Sequence, residues 1–129
     1  YLLVASNINQ LTELVDTDYI AKEVLESWPG HTTWLIPAKK NTPKWLVDKD
    51  SGLIAIRVSK HPTIVELCNH FKNPIISTSA NISGDENILG KTTFIHTFSQ
   101  TVDYFVEGNL GNSDKPSIIR NMITGEKLR

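Results

Sequence analysis

Pro74-Ile75-Ile76-Ser77-Thr78-Ser79-Ala80-Asn81-Ile82-Ser83-Gly84 joins a short apolar run to a row of small, mostly polar residues. A proline followed by Ile-Ile predicts a buried strand. The change at Ser77 predicts that the chain then leaves that strand, presenting hydroxyls, an amide and backbone N–H groups at its carboxyl end. Open α/β sheets bind ligands at that end of their strands. Small side chains let a backbone approach phosphate or carboxylate, and Ser, Thr and Asn supply neutral donors and acceptors. The same residues also suit an ordinary loop whose side chains bond their own backbone.

Upstream of this stretch, Gly52 to Ser59 is the most strand-like run of the chain, with Arg57 on the face of Leu53 and Ala55. An arginine there needs either an anionic partner or an exit to solvent. Pro62 suits the first turn of a helix, and Ile64, Val65, Leu67, Cys68 and Phe71 give that helix a broad apolar face, with Cys68 as a core thiol. His31 to Pro37 alternates as a strand, Trp34 and Ile36 on one side, Thr33 and Leu35 on the other. Before it, Thr17 or Asp18 is placed to cap a helix carrying Ile20, Val24, Leu25 and Trp28 that ends at Pro29-Gly30. Tyr1 to Ala5 reads as a core strand, and Ser6 or Asn7 as the cap of a short helix with Ile8, Leu11, Leu14 and Val15. Thr42-Pro43 predicts a brief helix through Trp45 and Leu46.

Downstream, Thr92 is placed to cap a helix through Phe94, Ile95 and Phe98, and Val102 to Glu107 alternates as a strand. Gly108 to Lys115 reads as a loop, Thr124-Gly125 as a turn, and Lys127 to Arg129 as a return strand. The whole predicts one domain over residues 1–129, an α/β fold with a twisted, mixed open sheet and flanking helices.

Composition narrows the function classes. A chain of 129 residues, 40% hydrophobic and 21% charged, can bury a single core, and its formal net charge of −1 announces no nucleic-acid binder. One cysteine excludes an internal disulfide framework and fits a reducing, cytoplasmic setting. No apolar run reaches the roughly 18 residues of a membrane span, so no membrane partner is expected. His31, His61, His70 and His96 show no metal-ligand spacing with one another or with Cys68, and no protein-held metal is expected.

The run Ser77 to Gly84 resembles the S-T-S-A-N-x-S-G signature of the YrdC-like family, the threonylcarbamoyl-AMP synthases that begin N6-threonylcarbamoyladenosine formation in tRNA. Other segments follow the family in order. Trp28-Pro29-Gly30-His31-Thr32-Thr33 resembles W-P-G-P-x-T, with His31 in place of the second proline, which is expected to loosen that turn. Arg57-Val58-Ser59-Lys60-His61-Pro62 resembles R-V-P-x-H-P, with Ser59 in place of proline. Pro116-Ser117-Ile118-Ile119-Arg120-Asn121 resembles P-S-x-I-R-D of the short, bacterial-type members.

The resemblance implies a reaction between L-threonine, bicarbonate and ATP. It implies that Arg57 holds the threonine carboxylate with Thr78 also on threonine, and that Ser79, Asn81, Ser117 and Arg120 contact ATP. It assigns no acid/base residue, and it implies Mg2+ accompanying ATP as substrate. Many members carry a nucleotide-contacting serine a few residues past the Ser-Gly, where this chain offers Asn87. The family's K-x-R pair and P-T-[DE]-T-x-x-G segment belong before Tyr1, so the chain is expected to lack its N-terminal segment and to be nearly inactive alone. Partners implied are tRNA and other proteins of the same modification pathway. The alternative reading is a non-catalytic module that binds double-stranded RNA. A place in a larger carbamoyl-transferring maturation enzyme is disfavoured by the compact ending at Arg129.

Overall fold

The computed structural model describes residues 1–86, 88–111 and 115–129. They divide into two units, Tyr1–Ser77 with Lys115–Arg129, and Thr78–Asp114. The first unit is built on five strands, β1 (Leu2–Ala5), β2 (Thr32–Pro37), β3 (Leu53–Val58), β4 (Ile75–Ser77) and β5 (Ile118–Asn121), in the order β4-β1-β3-β2-β5. β1 and β3 are parallel, as are β2 and β5; β1 and β4, and β2 and β3, are antiparallel. This is the mixed α/β sheet expected from the sequence.

Period-two alternation divides the sheet into two unlike faces. Leu3, Ala5, Trp34, Ile36, Ile54, Ile56 and Val58 point to one side. There they form a single core with Leu11, Val15, Ile20, Val24 and Leu46 from the segments between the strands. Two 3-10 helices (Ile8–Leu11 and Thr17–Tyr19) and helix α1 (Lys22–Ser27) supply most of that cover. Val4, Thr33, Leu35, Ala55, Arg57 and Ile119 point to the other side. Helix α2 (Pro62–Phe71) covers part of it, burying Cys68 fully, where the thiol donates to Val4 O at 3.4 Å.

Several local expectations are corrected. The strand entered at Pro74 is not a buried one: β4 is a three-residue edge strand with Ile76 49% exposed. It runs antiparallel to β1, so Ser77 leaves the sheet beside Leu2 at the amino end of β1. The helix after Thr17 starts late, because the carboxylate of Asp16 accepts from Asp18 N and holds a 3-10 turn first. Thr42 caps no helix; its hydroxyl donates to Leu14 O at 2.7 Å, and residues 44–46 form a turn. On α2, only Cys68 of the expected apolar face is fully buried, while Leu67 and Phe71 are exposed. Asn7 does cap the first 3-10 helix, its side chain accepting from Asn9 N at 3.0 Å.

The turn containing His31 is well tied. Gly30 N donates to Val58 O at 2.9 Å, and the Trp28 indole donates to Thr32 O at 2.9 Å. A Cβ on Gly30 would stand 2.3 Å from Ser27 O at the end of α1, a backbone clash that only glycine avoids. Beyond β5, Gly125 takes a φ of 72° in the expected turn, and Leu128 N donates to Ile119 O at 2.8 Å. The return segment thus pairs with β5, but through a single bridge, Arg120 with Lys127, rather than a full strand.

In the second unit, helix α3 (Lys91–Phe98) begins after Gly90 rather than Thr92, and no side chain caps it. Val102 to Glu107 forms no strand. Its alternating residues are largely exposed, Tyr104 at 80%, and Phe105 instead packs on Phe94 with ring centroids 5.2 Å apart. Phe98 joins that group, and Lys91 pairs with Glu107 across it. Asn87, and residues 112–114 of the expected Gly108–Lys115 loop, lie outside the described residues.

Candidate functional site

Arg57 is the one strong charge carried by a β3 side chain, near the carboxyl end of the strand and opposite Val4 of β1. It is half-buried, and burial pushes the guanidinium below its ordinary value, although an arginine there still keeps its charge. Its Nη1 donates to His31 Nδ1 at 3.4 Å. Its Nε is buried without a hydrogen-bond partner among the described residues. A buried donor left in this state is costly, which makes the Nε edge a ready position for an anion's oxygen.

Thr33, next along the same face on β2, is fully buried and its hydroxyl lies 2.9 Å from that of Ser117. Arg129 closes the other side, donating from Nη2 to Ser117 Oγ at 3.2 Å and from Nε to Ser117 O at 3.0 Å. A hydroxyl offers one donor and two acceptor positions, so Ser117 retains one after these two contacts. His31 reaches this segment as well, its Nε2 lying 2.8 Å from Lys115 O. Arg57, His31, Thr33 and Ser117 therefore form one polar group at this end of the first unit.

Arg120 does not join them. It lies opposite Trp34 in the β2–β5 register, and Trp34 belongs to the covered core. Its guanidinium stands 5.0 Å over the Trp34 ring, pairs with Glu23 of α1, and donates to Gly125 O at 3.3 Å. The nucleotide role expected for Arg120 meets a side chain that is already committed, on the face opposite Arg57.

Thr78, Ser79 and Asn81 belong to the second unit. Thr78 and Ser79 are exposed. The Asn81 amide braces its own loop, Nδ2 donating to Ile82 O at 2.9 Å and to Asp85 O at 3.0 Å, around a Gly84 with φ of 95°. Asn81 Oδ1 is buried without a partner among the described residues. Among the described residues, no group of three or more His, Cys, Asp or Glu could hold a metal, and no helix is long and apolar enough to cross a membrane.

Sequence reasoning missed His31, Thr33 and Arg129. His31 carried a signal as the residue standing where the resemblance called for proline, and Thr33 as the threonine that closes the same segment; Arg129 carried none.

Comparison with known proteins identifies the family and the fold. The Sua5/YciO/YrdC family, described as telomere recombination, matches residues 2–129. The threonylcarbamoyl-AMP synthase of Pseudoalteromonas translucida is 39% identical over 132 residues, covering 99% of this chain and 70% of that protein. That of Coxiella burnetii is 41% identical, covering 100% of this chain and 70% of that protein. The crystal structure of E. coli YciO superposes with a TM-score of 0.81 at 20% identity, over 98% of this chain and 65% of the other. P. abyssi Sua5 complexed with L-threonine does so at 0.82 and 20% identity, over 98% of this chain and 37% of the other. The mixed sheet is thus that of YciO and Sua5, and the chain belongs to the Sua5/YciO/YrdC family.

Proposed function

We propose that the protein is an L-threonylcarbamoyl-AMP synthase, joining L-threonine, bicarbonate and ATP into threonylcarbamoyl-AMP and pyrophosphate for N6-threonylcarbamoyladenosine in tRNA. The observation that carries it is Arg57, a half-buried guanidinium whose Nε has no partner among the described residues, in a chain 39% identical along nearly its whole length to a protein of that name. A planar guanidinium can meet both oxygens of an amino acid's carboxylate at once.

The chemistry then needs positioning rather than a nucleophilic side chain. The threonine amine adds to carbon dioxide derived from bicarbonate, losing a proton and forming a carbamate. A carbamate oxygen attacks the α-phosphorus of ATP, and the bond to the bridging oxygen of pyrophosphate breaks. Arg57 holds threonine, and Ser117, through its remaining hydrogen-bonding position, contacts the nucleotide; the resemblance gives Thr78 to threonine and Ser79 and Asn81 to the nucleotide, although the Asn81 amide already braces its own loop. For Arg120 the geometry favours a structural role. Mg2+ enters on the phosphate oxygens of ATP as part of the substrate, which suits an ion that keeps few protein ligands. Further partners in this reading are tRNA and proteins of the modification pathway, in the cytoplasm.

The test is pyrophosphate release from ATP by the intact protein, with threonine and bicarbonate each omitted in turn. Release that depends on both is expected. ATP turnover indifferent to threonine, or tight binding of duplex RNA without turnover, would overturn the assignment.

A further inference from the structure

Among the described residues, the imidazole of His31 meets a main-chain carbonyl and a guanidinium. Lys115 O can only accept, so Nε2, 2.8 Å away, carries the proton. The guanidinium of Arg57 can only donate, so Nδ1, 3.4 Å from Nη1, presents its lone pair. The ring spans from β3 to the segment that enters β5. The backbone beneath it is held on both sides, by Gly30 N to Val58 O and by Ile118 N to His31 O at 3.1 Å. The ring itself is exposed and outside the hydrophobic core, so the link serves no packing need.

Holding Nη1 has a geometric result. A guanidinium offers a carboxylate its side-on edge through Nε–H and Nη2–H, and Nε is the atom left buried without a partner. With Nη1 occupied by His31, the guanidinium cannot turn that edge away. We infer that His31 is a positioning residue for substrate recognition: it fixes the rotation of Arg57 so that the Nε–Nη2 edge faces the carboxylate of the amino-acid substrate. It also ties that clamp to the strand entry bearing Ser117. The inference rests on the synthase assignment above. Proline, which the resemblance puts at this position, could make neither contact.

The experiment uses the intact protein with His31→Ala, His31→Asn and His31→Gln. Threonine binding is measured by calorimetry without ATP, and pyrophosphate release is measured against both substrates. An asparagine carbonyl falls near the place of Nδ1, so it can accept from Arg57; a glutamine amide falls near Nε2 and reaches only Lys115. His31→Ala is expected to raise the threonine Kd and KM about tenfold, the loss of one hydrogen bond to a charged group, with kcat and the ATP KM within about twofold. His31→Asn should recover most of that loss and His31→Gln little. Wild-type threonine affinity in His31→Ala, or recovery by Gln but not Asn, would overturn the role of His31 while leaving the synthase assignment standing. A wild-type protein that binds no threonine would instead remove that assignment and this inference together.

Discussion

The guanidinium of Arg120 lies 5.0 Å over the ring of Trp34, on the sheet face opposite Arg57, with Glu23 of α1 as its ion partner. Two arginines in neighbouring stretches of sheet thus have separate duties. One ties the outer strand β5 to α1 over the Trp34 ring, and the other is the proposed ligand-binding group.

Arg120→Ala should therefore act on stability. A cation over an aromatic ring contributes about 0.5–2 kcal/mol and a partly exposed ion pair up to about 1 kcal/mol, so the variant should lose about 1–2 kcal/mol in urea unfolding. The ATP KM should stay within about twofold of wild type. A large rise in ATP KM at unchanged stability would return Arg120 to the nucleotide.

Arg57→Ala should act on affinity. The lost charge-assisted bonds are worth roughly 1.5–3 kcal/mol, so threonine binding should weaken by about tenfold or more while ATP binding changes little. Calorimetric titration with each substrate separates the two. Loss of ATP affinity alone would move Arg57 to the phosphates.

Asn81 and Ser79 should part company. Asn81 Nδ2 holds the loop through Ile82 O and Asp85 O, so Asn81→Ala should lower stability by about 0.5–2 kcal/mol, as loss of a comparable cap does. Ser79 is exposed, and Ser79→Ala should leave the melting temperature unchanged and reduce pyrophosphate release by about tenfold. Melting curves and turnover on the same preparations of the intact protein distinguish a brace from a ligand group. Equal effects of the two substitutions on stability would reject the division.

Cys68 should give stability a pH dependence on the alkaline side. Burial pushes its thiol up, partly offset by the Ile75 and Ser6 backbone N–H groups. The native state thus holds the proton more firmly than the unfolded chain. The contribution is fully present below about pH 8.5, the ordinary thiol value, and is lost as pH rises through the raised native value. The stability difference between wild type and Cys68→Ala, measured by urea unfolding, should shrink between neutral pH and pH of about 9.5. A constant difference would show that the thiol does not ionise on unfolding.

The parts of the fold that local chemistry dictates were legible in the sequence. β3 announced itself by the apolar run Leu53–Ile56, α2 by Pro62 and its periodic apolar residues, and the first 3-10 turn by Asn7. What was not legible depended on partners far along the chain. Thr42 looked like a cap until Leu14 O took its hydroxyl. Val102 to Glu107 had the period of a strand but, among the described residues, no neighbouring strand to receive its backbone groups, and a strand needs that ladder. Of the candidate site, the sequence showed which face of β3 carries Arg57, because Leu53 and Ala55 share its period. The position of Arg120 could also have been read: it lies three residues from Ser117, and an odd spacing along a strand puts two side chains on opposite faces. The resemblance gives both residues to the nucleotide, whereas that parity puts their side chains on different faces of the sheet.

The alternation of β3 also has a bearing on how the chain reaches its native pairing. Ile54, Ile56 and Val58 alternate with Leu53, Ala55 and Arg57, and both groups contain aliphatic residues, so hydrophobicity alone would tolerate a slip of one residue against β1 and β2. Such a slip would drive the Arg57 guanidinium into the packed core beside Trp34 and Leu3, at a cost of several kcal/mol for an unpaired buried charge. The residue proposed to meet the substrate is thus also a proofreader of strand register. Replacing it with an aliphatic residue of similar length would blunt recognition and, at the same time, remove the penalty that separates the correct sheet from its misaligned neighbour.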